Sequence, residues 1–270
     1  VAFLGDSITA QGNSPLGYVQ LVINGLETAG AKVTCVPAGI SGHKSDQMLA
    51  RLQHDVLDKK PDWMTLSCGV NDVWHGAKGV SLEDYKKNIT AILDACQAAN
   101  VKVMILTATM ITEDQSAANN QKLVAYNDFL RSLAKERGCP LADLNADMQA
   151  AVAQGGAGKK GNMLTTDGVH MNPAGNRMMA LGVLKAFGLS AEQVNAAQEK
   201  WLDIPNSCEA KGAIKMTLRK YQQLEAAAKA QGKTPEQILN EAVSKVVADL
   251  VETKPEAVGK ANDAPKAETK

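Results

Sequence analysis

Short apolar runs alternate with longer amphipathic stretches through the first two thirds of the chain. Apolar runs bounded by turn residues predict five strands, at 1–4, 33–36, 63–67, 101–106 and 140–144. Apolar residues at helical spacing predict helices between these strands, at 18–29, 45–56, 81–93, 120–136 and around Met148. The chain is therefore predicted to alternate strands with helices.

Strands that alternate with helices at this spacing form parallel βαβ units with right-handed crossovers. The predicted fold class is therefore α/β, a three-layer α/β/α sandwich around a five-stranded parallel sheet, with extra C-terminal helices. In open sheets of this class, ligands bind at the edge formed by the carboxyl ends of the strands. Side chains that directly follow a strand are the first candidates for function.

The last third of the chain shows helical patterns without strands. Helices are predicted at 173–187, near Val194, at about 208–230, and from Pro235 onward, where Thr234 is the capping residue. We expect one domain at 1–187 and a helical extension at 188–252 that packs on it. As alternatives, the extension covers the ligand-binding edge of the sheet or forms a homo-oligomer contact. Residues 253–270 lack periodicity, which predicts disorder.

Composition and charge exclude several classes of function. The 270 residues carry 29 basic and 29 acidic side chains, and no basic stripe with interleaved aromatic residues, which argues against nucleic-acid binding. No apolar run is long enough to span a membrane. The five cysteines include no CxxC pair, so neither a zinc site nor a dense disulfide framework is indicated. The cysteine count is compatible with one disulfide bond.

The chain begins without Met, and its first residue falls inside a predicted strand. We therefore expect that a signal peptide or another segment preceded it. A signal peptide would imply a secreted or periplasmic protein.

Polar or glycine residues follow three predicted strands. Ser7 comes two residues after Gly5, which ends the first strand, while Gly39 and Asn71 follow the second and third. Because the carboxyl ends of parallel strands meet at one edge of the sheet, these residues are expected to lie close together. A serine in this place is suited to act as a nucleophile.

A base and an acid occur much later in the chain. Asp167 and His170 are three residues apart, so one helical turn would place their side chains together. The carboxylate would then hold one imidazole nitrogen and direct the other toward Ser7. Acyl transfer needs this arrangement, together with hydrogen-bond donors that face the oxyanion.

Four short motifs occur in one order within residues 1–187: Gly5-Asp6-Ser7, Gly39, Gly69-x-Asn71-Asp72 and Asp167-x-x-His170. In these motifs the chain resembles the SGNH hydrolases, also called GDSL-type esterases and lipases. Ile8 stands where the first family motif usually has Leu, which is a common variation. Asp6 and Asp72 are interpreted as acceptors that stabilise turns.

The resemblance implies a flavodoxin-like sandwich with strand order 2-1-3-4-5. It implies Ser7 as the nucleophile, His170 as the general base and Asp167 as the partner of His170. It further implies an oxyanion hole formed by the Ser7 N–H, the Gly39 N–H and the Asn71 side-chain amide. No cofactor and no metal are expected.

The expected function is a serine ester hydrolase that works through an acyl-enzyme on a small-molecule ester. Aromatic residues make up only 4% of the chain, and no long apolar loop adjoins the motifs. A short acyl group, most simply acetyl, on a carbohydrate or small alcohol is therefore favoured. A lysophospholipase or thioesterase with longer acyl chains is one alternative.

A non-catalytic phosphate- or nucleotide-binding module on the same fold is the other alternative. The glycine motifs G-x-x-x-x-G-K-[ST] and G-x-G-x-x-G, which bind phosphate groups, are absent from the sequence. This interpretation also gives no role to Asp167 and His170.

Overall fold

The computed structural model describes residues 1–155, 162–204 and 217–252. Its strands are β1 (Ala2–Gly5), β2 (Val36–Gly39), β3 (Trp63–Ser67), β4 (Lys102–Leu106) and β5 (Leu141–Ala142). They form one parallel sheet in the order β2-β1-β3-β4-β5. This is the order that the family resemblance implies, so the predicted α/β fold class is confirmed.

Helices cover both faces of the sheet. The α-helices of the described residues, in both the sandwich and the C-terminal part of the chain, are α1 (Ser7–Gln11), α2 (Tyr18–Thr28), α3 (Ser45–Asp55), α4 (Val70–Trp74), α5 (Leu82–Ala98), α6 (Ala118–Arg137), α7 (Leu144–Gly155), α8 (Pro173–Ala186), α9 (Ala191–Leu202), α10 (Leu218–Ala230) and α11 (Pro235–Glu252). The helix α5 contacts α3 and α6, whereas α8 contacts α2, α7 and α9. Right-handed crossovers place these two groups on opposite faces, which makes the three layers.

The second strand lies three residues later than the predicted segment 33–36. The strand β2 includes Pro37, which directly follows the predicted segment. At this edge of the sheet, Val36 N donates to Val1 O at 2.9 Å, and Ile40 N, just after β2, donates to Gly5 O at 3.1 Å. The Pro37 nitrogen faces away from β1, where a missing N–H removes no ladder bond.

The fifth strand is shorter than the predicted segment 140–144, because Leu144 already begins α7. Asp143 precedes this helix, and its Oδ1 accepts a hydrogen bond from Ala146 N at 3.3 Å. A side-chain acceptor at this place stabilises a helix start. The chain therefore turns into α7 after two strand residues.

Two five-residue helices, α1 and α4, begin close behind β1 and β3. Neither is predicted from the sequence, because five residues are too few to display a helical period. Both matter for the site, since α1 begins with Ser7 and α4 contains Asn71.

The described residues fall into two compact units, one up to Ile204 and one from Thr217 to Glu252. In the first unit, α9 contacts α2 and buries Val194, Ala197 and Trp201. In the second unit, α10 contacts α11. Among the described helices, none combines the length and apolar character that a bilayer span needs.

The helical extension at 188–252 and its packing on the first domain stay predictions. Two predicted segments lie outside the described residues: the first part of the predicted helix, 208–216, and the predicted disordered tail, 253–270.

Candidate active site

Ser7 stands at the carboxyl edge of the sheet, two residues after the end of β1. Asp6 caps α1, because its Oδ1 accepts a hydrogen bond from Ile8 N at 2.9 Å. Ser7 is the first residue of α1, so its N–H has no partner within the helix. A side chain at Gly5 would collide with Thr9, which explains the glycine before this turn.

Residues 163–172, the histidine loop, carry Asp167 and His170. An antiparallel bridge joins Thr165 and Met171 across the loop. Gly168 occupies the left-handed region at φ +98° between them. The predicted helical turn is therefore wrong. A tight loop, closed by a hydrogen bond from Thr166 N to His170 O at 2.8 Å, brings the two side chains together instead.

One chain of hydrogen bonds joins the three predicted residues. The His170 Nδ1 lies 2.7 Å from Asp167 Oδ2, and the His170 Nε2 lies 2.9 Å from Ser7 Oγ. The Asp167 Oδ1 also accepts hydrogen bonds from the backbone N–H groups of Val169 and His170, at 3.0 and 2.8 Å. The side chains of Asp167 and His170 are thus oriented by four hydrogen bonds.

The Asp167 carboxyl stays ionised over the pH range in which a histidine titrates. Partial burial acts to raise its pKa, but hydrogen bonds from the side chain and backbone of His170 and from Val169 N outweigh burial and lower the pKa to about 2. An anionic Asp167 can therefore accept the His170 Nδ1–H throughout the neutral range.

Asn71 lies in α4, and its side chain is buried beside Asp6. The Asn71 Nδ2 donates to Asp6 Oδ2 at 3.3 Å and to His43 O at 3.2 Å. Both distances are long for N–H···O hydrogen bonds. Burial raises the pKa of the Asp6 carboxyl to about 6, against the lowering effect of the Ile8 N–H.

Gly39 has a clear packing role. A side chain at this position would collide with Ala10 N, so the glycine lets α1 approach β2. Because the N–H groups of Val36 and Ile40 face β1, the Gly39 N–H points toward the outer edge of the sheet. The next turn runs from Ile40 to His43 and contains Gly42 at φ +77°. Its His43 carbonyl is the one that holds Asn71.

Asp72 does more than stabilise its own turn. Its Oδ1 accepts hydrogen bonds from Ser45 N at 3.0 Å and from Ser45 Oγ at 2.6 Å. It thereby fixes the start of α3 to the segment that carries Asn71. The sequence gives no sign of this contact, because the two residues are 27 positions apart.

The described ranges contain no group of three or more His, Cys, Asp or Glu side chains placed to hold a metal ion.

The family profile described as "GDSL-like Lipase/Acylhydrolase family" matches residues 3–178, a span that includes Ser7, Asn71, Asp167 and His170. This chain belongs to that family. It is a carboxylic ester hydrolase of the SGNH superfamily, as the resemblance implies.

Individual relatives of this SGNH hydrolase are similar over most of their length. The crystal structure of an acetyl xylan esterase, AlAXEase, is 35% identical, with a TM-score of 0.64 over 68% of this chain and 98% of that one. The acetylxylan esterase of Geobacillus stearothermophilus is 26% identical over 69% of this chain and 92% of its own. An uncharacterized lipoprotein of Bacillus subtilis (strain 168), YqeF, is 28% identical over 68% of this chain and 86% of its own.

Proposed function

We propose that this SGNH hydrolase is a serine acetylesterase that removes acetyl groups from a carbohydrate or a small alcohol. The observation that carries the proposal is the continuous hydrogen-bonded chain from Ser7 through His170 to Asp167. Such a chain lets one proton move between a nucleophilic oxygen and a leaving group.

In the proposed mechanism, Ser7 Oγ attacks the ester carbonyl while His170 Nε2 takes the hydroxyl proton. Asp167 holds the Nδ1–H and stabilises the imidazolium that forms. His170 then gives the proton to the leaving alcohol, and an acetyl-enzyme remains on Ser7. A water molecule, activated by His170, releases acetate and restores the serine.

The oxyanion of the tetrahedral intermediate is proposed to bind between the Ser7 N–H and the Asn71 amide. The Ser7 N–H belongs to the first turn of α1 and has no partner within the helix. The long hydrogen bonds of Asn71 allow its amide to be shared with an oxyanion. Gly39 stays the predicted third donor. The Gly42 N–H, in the turn from Ile40 to His43, is the alternative, because the His43 carbonyl of that turn contacts Asn71.

The acyl group is proposed to be short. Two relatives bear the name of acetylxylan esterases, and the match covers nearly the whole of each of these chains. The low aromatic content of this chain agrees with a site that binds no long acyl chain. A xylan-derived oligosaccharide is the first carbohydrate to examine as the acetyl carrier.

The test compares p-nitrophenyl esters of two to twelve acyl carbons with acetylated xylo-oligosaccharides. Wild type is expected to hydrolyse the acetate fastest. Ser7→Ala is expected to lose activity by roughly 10⁴-fold or more, because the nucleophile is removed. The matched control is Ser14→Ala, an exposed serine in the turn after α1, which is expected to keep wild-type activity.

The other outcomes separate the alternatives. A rate that improves steadily with acyl length would overturn the acetyl preference in favour of a lysophospholipase or thioesterase. Folded wild-type protein that hydrolyses none of the esters would indicate the non-catalytic module.

A further inference from the structure

Glu113 connects the loop after β4, residues 107–117, to the histidine loop. Its Oε1 accepts hydrogen bonds from Leu164 N at 2.7 Å, from Thr165 N at 2.8 Å and from Thr165 Oγ1 at 2.8 Å. Its Oε2 accepts from Met163 N at 2.7 Å. One side chain thus binds three consecutive residues that lie a few positions before Asp167.

The ionised carboxylate fits these four hydrogen bonds best, because in that form both oxygens only accept, whereas a protonated carboxyl group would also carry a donor with no partner among these contacts. Partial burial acts to raise the pKa of Glu113, but the donors from Met163, Leu164 and Thr165 outweigh burial and lower the pKa. Glu113 is therefore an anion under the conditions of an esterase assay.

A second contact joins the same two loops next to Asp167. Thr112 N donates to Gly168 O at 2.8 Å, and Gly168 N donates to Thr165 Oγ1 at 3.1 Å. Thr112 adopts φ +69°, a conformation that is unusual for a β-branched residue. Backbone strain of this kind persists only where the surroundings hold it in place.

The loop after β4, which carries Thr112 and Glu113, is itself anchored to α6. Asn120 is buried in the first turn of α6. Its Oδ1 accepts from Ile111 N at 2.8 Å, and its Nδ2 donates to Thr112 O at 3.0 Å and to Asp114 O at 2.8 Å. The backbone on both sides of Glu113 is therefore held by the body of the fold.

We propose that Glu113 is a positioning residue, which holds the backbone of Met163, Leu164 and Thr165 so that Asp167 and His170 align with Ser7. The part of this proposal that concerns catalysis rests on the proposed function. Both carboxylate oxygens of Glu113 are occupied by donors of the histidine loop. It acts on the reaction through the geometry of Asp167 and His170.

The deciding variant is Glu113→Gln, which keeps the shape of the side chain. Its amide nitrogen would face a backbone N–H of the histidine loop, because one of the two terminal atoms is now a donor. The kcat for p-nitrophenyl acetate is expected to fall about 10- to 100-fold, as a displacement of about 1 Å can cost 10²-fold. The KM is expected to change little, since no group that binds this small ester is altered.

The matched control is Asp114→Asn, because Asp114 is the exposed neighbour whose side chain, within the described residues, accepts from Ser116 alone. It is expected to keep wild-type kcat. Unfolding curves of both variants are recorded so that activity is expressed per folded molecule.

Two readouts need no substrate. The proton between His170 Nδ1 and Asp167 is expected to give a downfield proton resonance, to be assigned by its loss in Asp167→Asn. In Glu113→Gln this resonance is expected to broaden or shift. The amide hydrogens of Met163, Leu164 and Thr165 are expected to exchange faster than in wild type.

A folded Glu113→Gln protein with wild-type kcat and an unchanged resonance would overturn the proposal. So would a loss of activity that only follows the unfolded fraction. If Glu113→Gln does not fold, Glu113→Asp, which keeps the charge but is one methylene shorter, is judged by the same readouts. If wild type hydrolyses no ester, the proposed function fails, whereas the resonance and the exchange rates still test Glu113.

Discussion

Asn71 and Asp6 show how one buried side chain orients another beside Ser7. The Asp6 carboxylate accepts from Ile8 N on one oxygen and from Asn71 Nδ2 on the other. The Asn71 amide is therefore placed before any substrate arrives. A donor that needs no reorganisation stabilises a developing oxyanion more than one that must first turn.

At this scale we predict that Asn71→Ala lowers kcat by about 10²–10³-fold, the usual cost of one oxyanion donor. Steady-state kinetics with p-nitrophenyl acetate give the number, and a thermal unfolding curve shows whether the fold is kept. The control is Asn195→Ala on the exposed face of α9. An Asn71→Ala protein with unchanged kcat would remove Asn71 from the oxyanion hole.

The helix α9 shows how an element with a weak sequence pattern becomes part of the packed core. The sequence predicts only a short helix near Val194, whereas the structure has Ala191–Leu202. Ser190 caps it, with Gln193 N donating to Ser190 Oγ at 3.3 Å. Its apolar side, including Trp201, is buried in the first unit, where α9 contacts α2.

At the element scale we predict that Trp201→Ala lowers the free energy of unfolding by about 3–5 kcal/mol, the range for removal of a buried large aromatic side chain. Leu202→Ala is the matched control, because Leu202 is the next residue and is 66% exposed. It is expected to change stability by less than about 0.5 kcal/mol. Denaturant unfolding checks both values, and equal effects would mean that α9 is not packed as described.

For the whole molecule, buried and paired carboxyl groups make stability depend on pH in opposite directions. The pKa of Asp167 is held at about 2, so its contribution is present above the unfolded value of about 4 and is lost as the pH falls toward 2. The pKa of Asp6 is raised to about 6 by burial, so the folded state binds its proton more tightly than the unfolded chain. Stability from Asp6 therefore decreases as the pH rises from about 4 to about 6.

We predict that Asp6→Asn removes the decrease in stability that Asp6 causes as the pH rises from about 4 to about 6. The stability of the variant relative to wild type is expected to rise by about 3 kcal/mol between pH 4 and pH 7, since each pKa unit corresponds to about 1.4 kcal/mol. Urea unfolding at several pH values measures the difference. Asp203→Asn, at an exposed aspartate, is measured in parallel as the control. A constant difference for Asp6→Asn as well would contradict the raised pKa.

The sequence alone predicted those parts of the molecule that depend on local pattern. β1, β3 and β4 are continuous apolar runs because both faces of a parallel sheet are covered. The strand order and the family followed from four short motifs in one order. The predicted second strand lies three residues too early. Pro37 fits β2 because its nitrogen faces away from β1, and the sequence does not show on which side β1 lies.

The parts that only the tertiary structure decided are contacts between residues far apart in the chain. Ser7 and His170 are 163 positions apart, and Glu113 lies about 50 positions before the backbone it binds. Local periodicity suggested a helical turn for Asp167 and His170, but the loop is shaped by its closing bridge and by its contact with Thr112. A sequence motif specifies which side chains are available, whereas the hydrogen bonds that orient them form only when the chain has brought distant segments together.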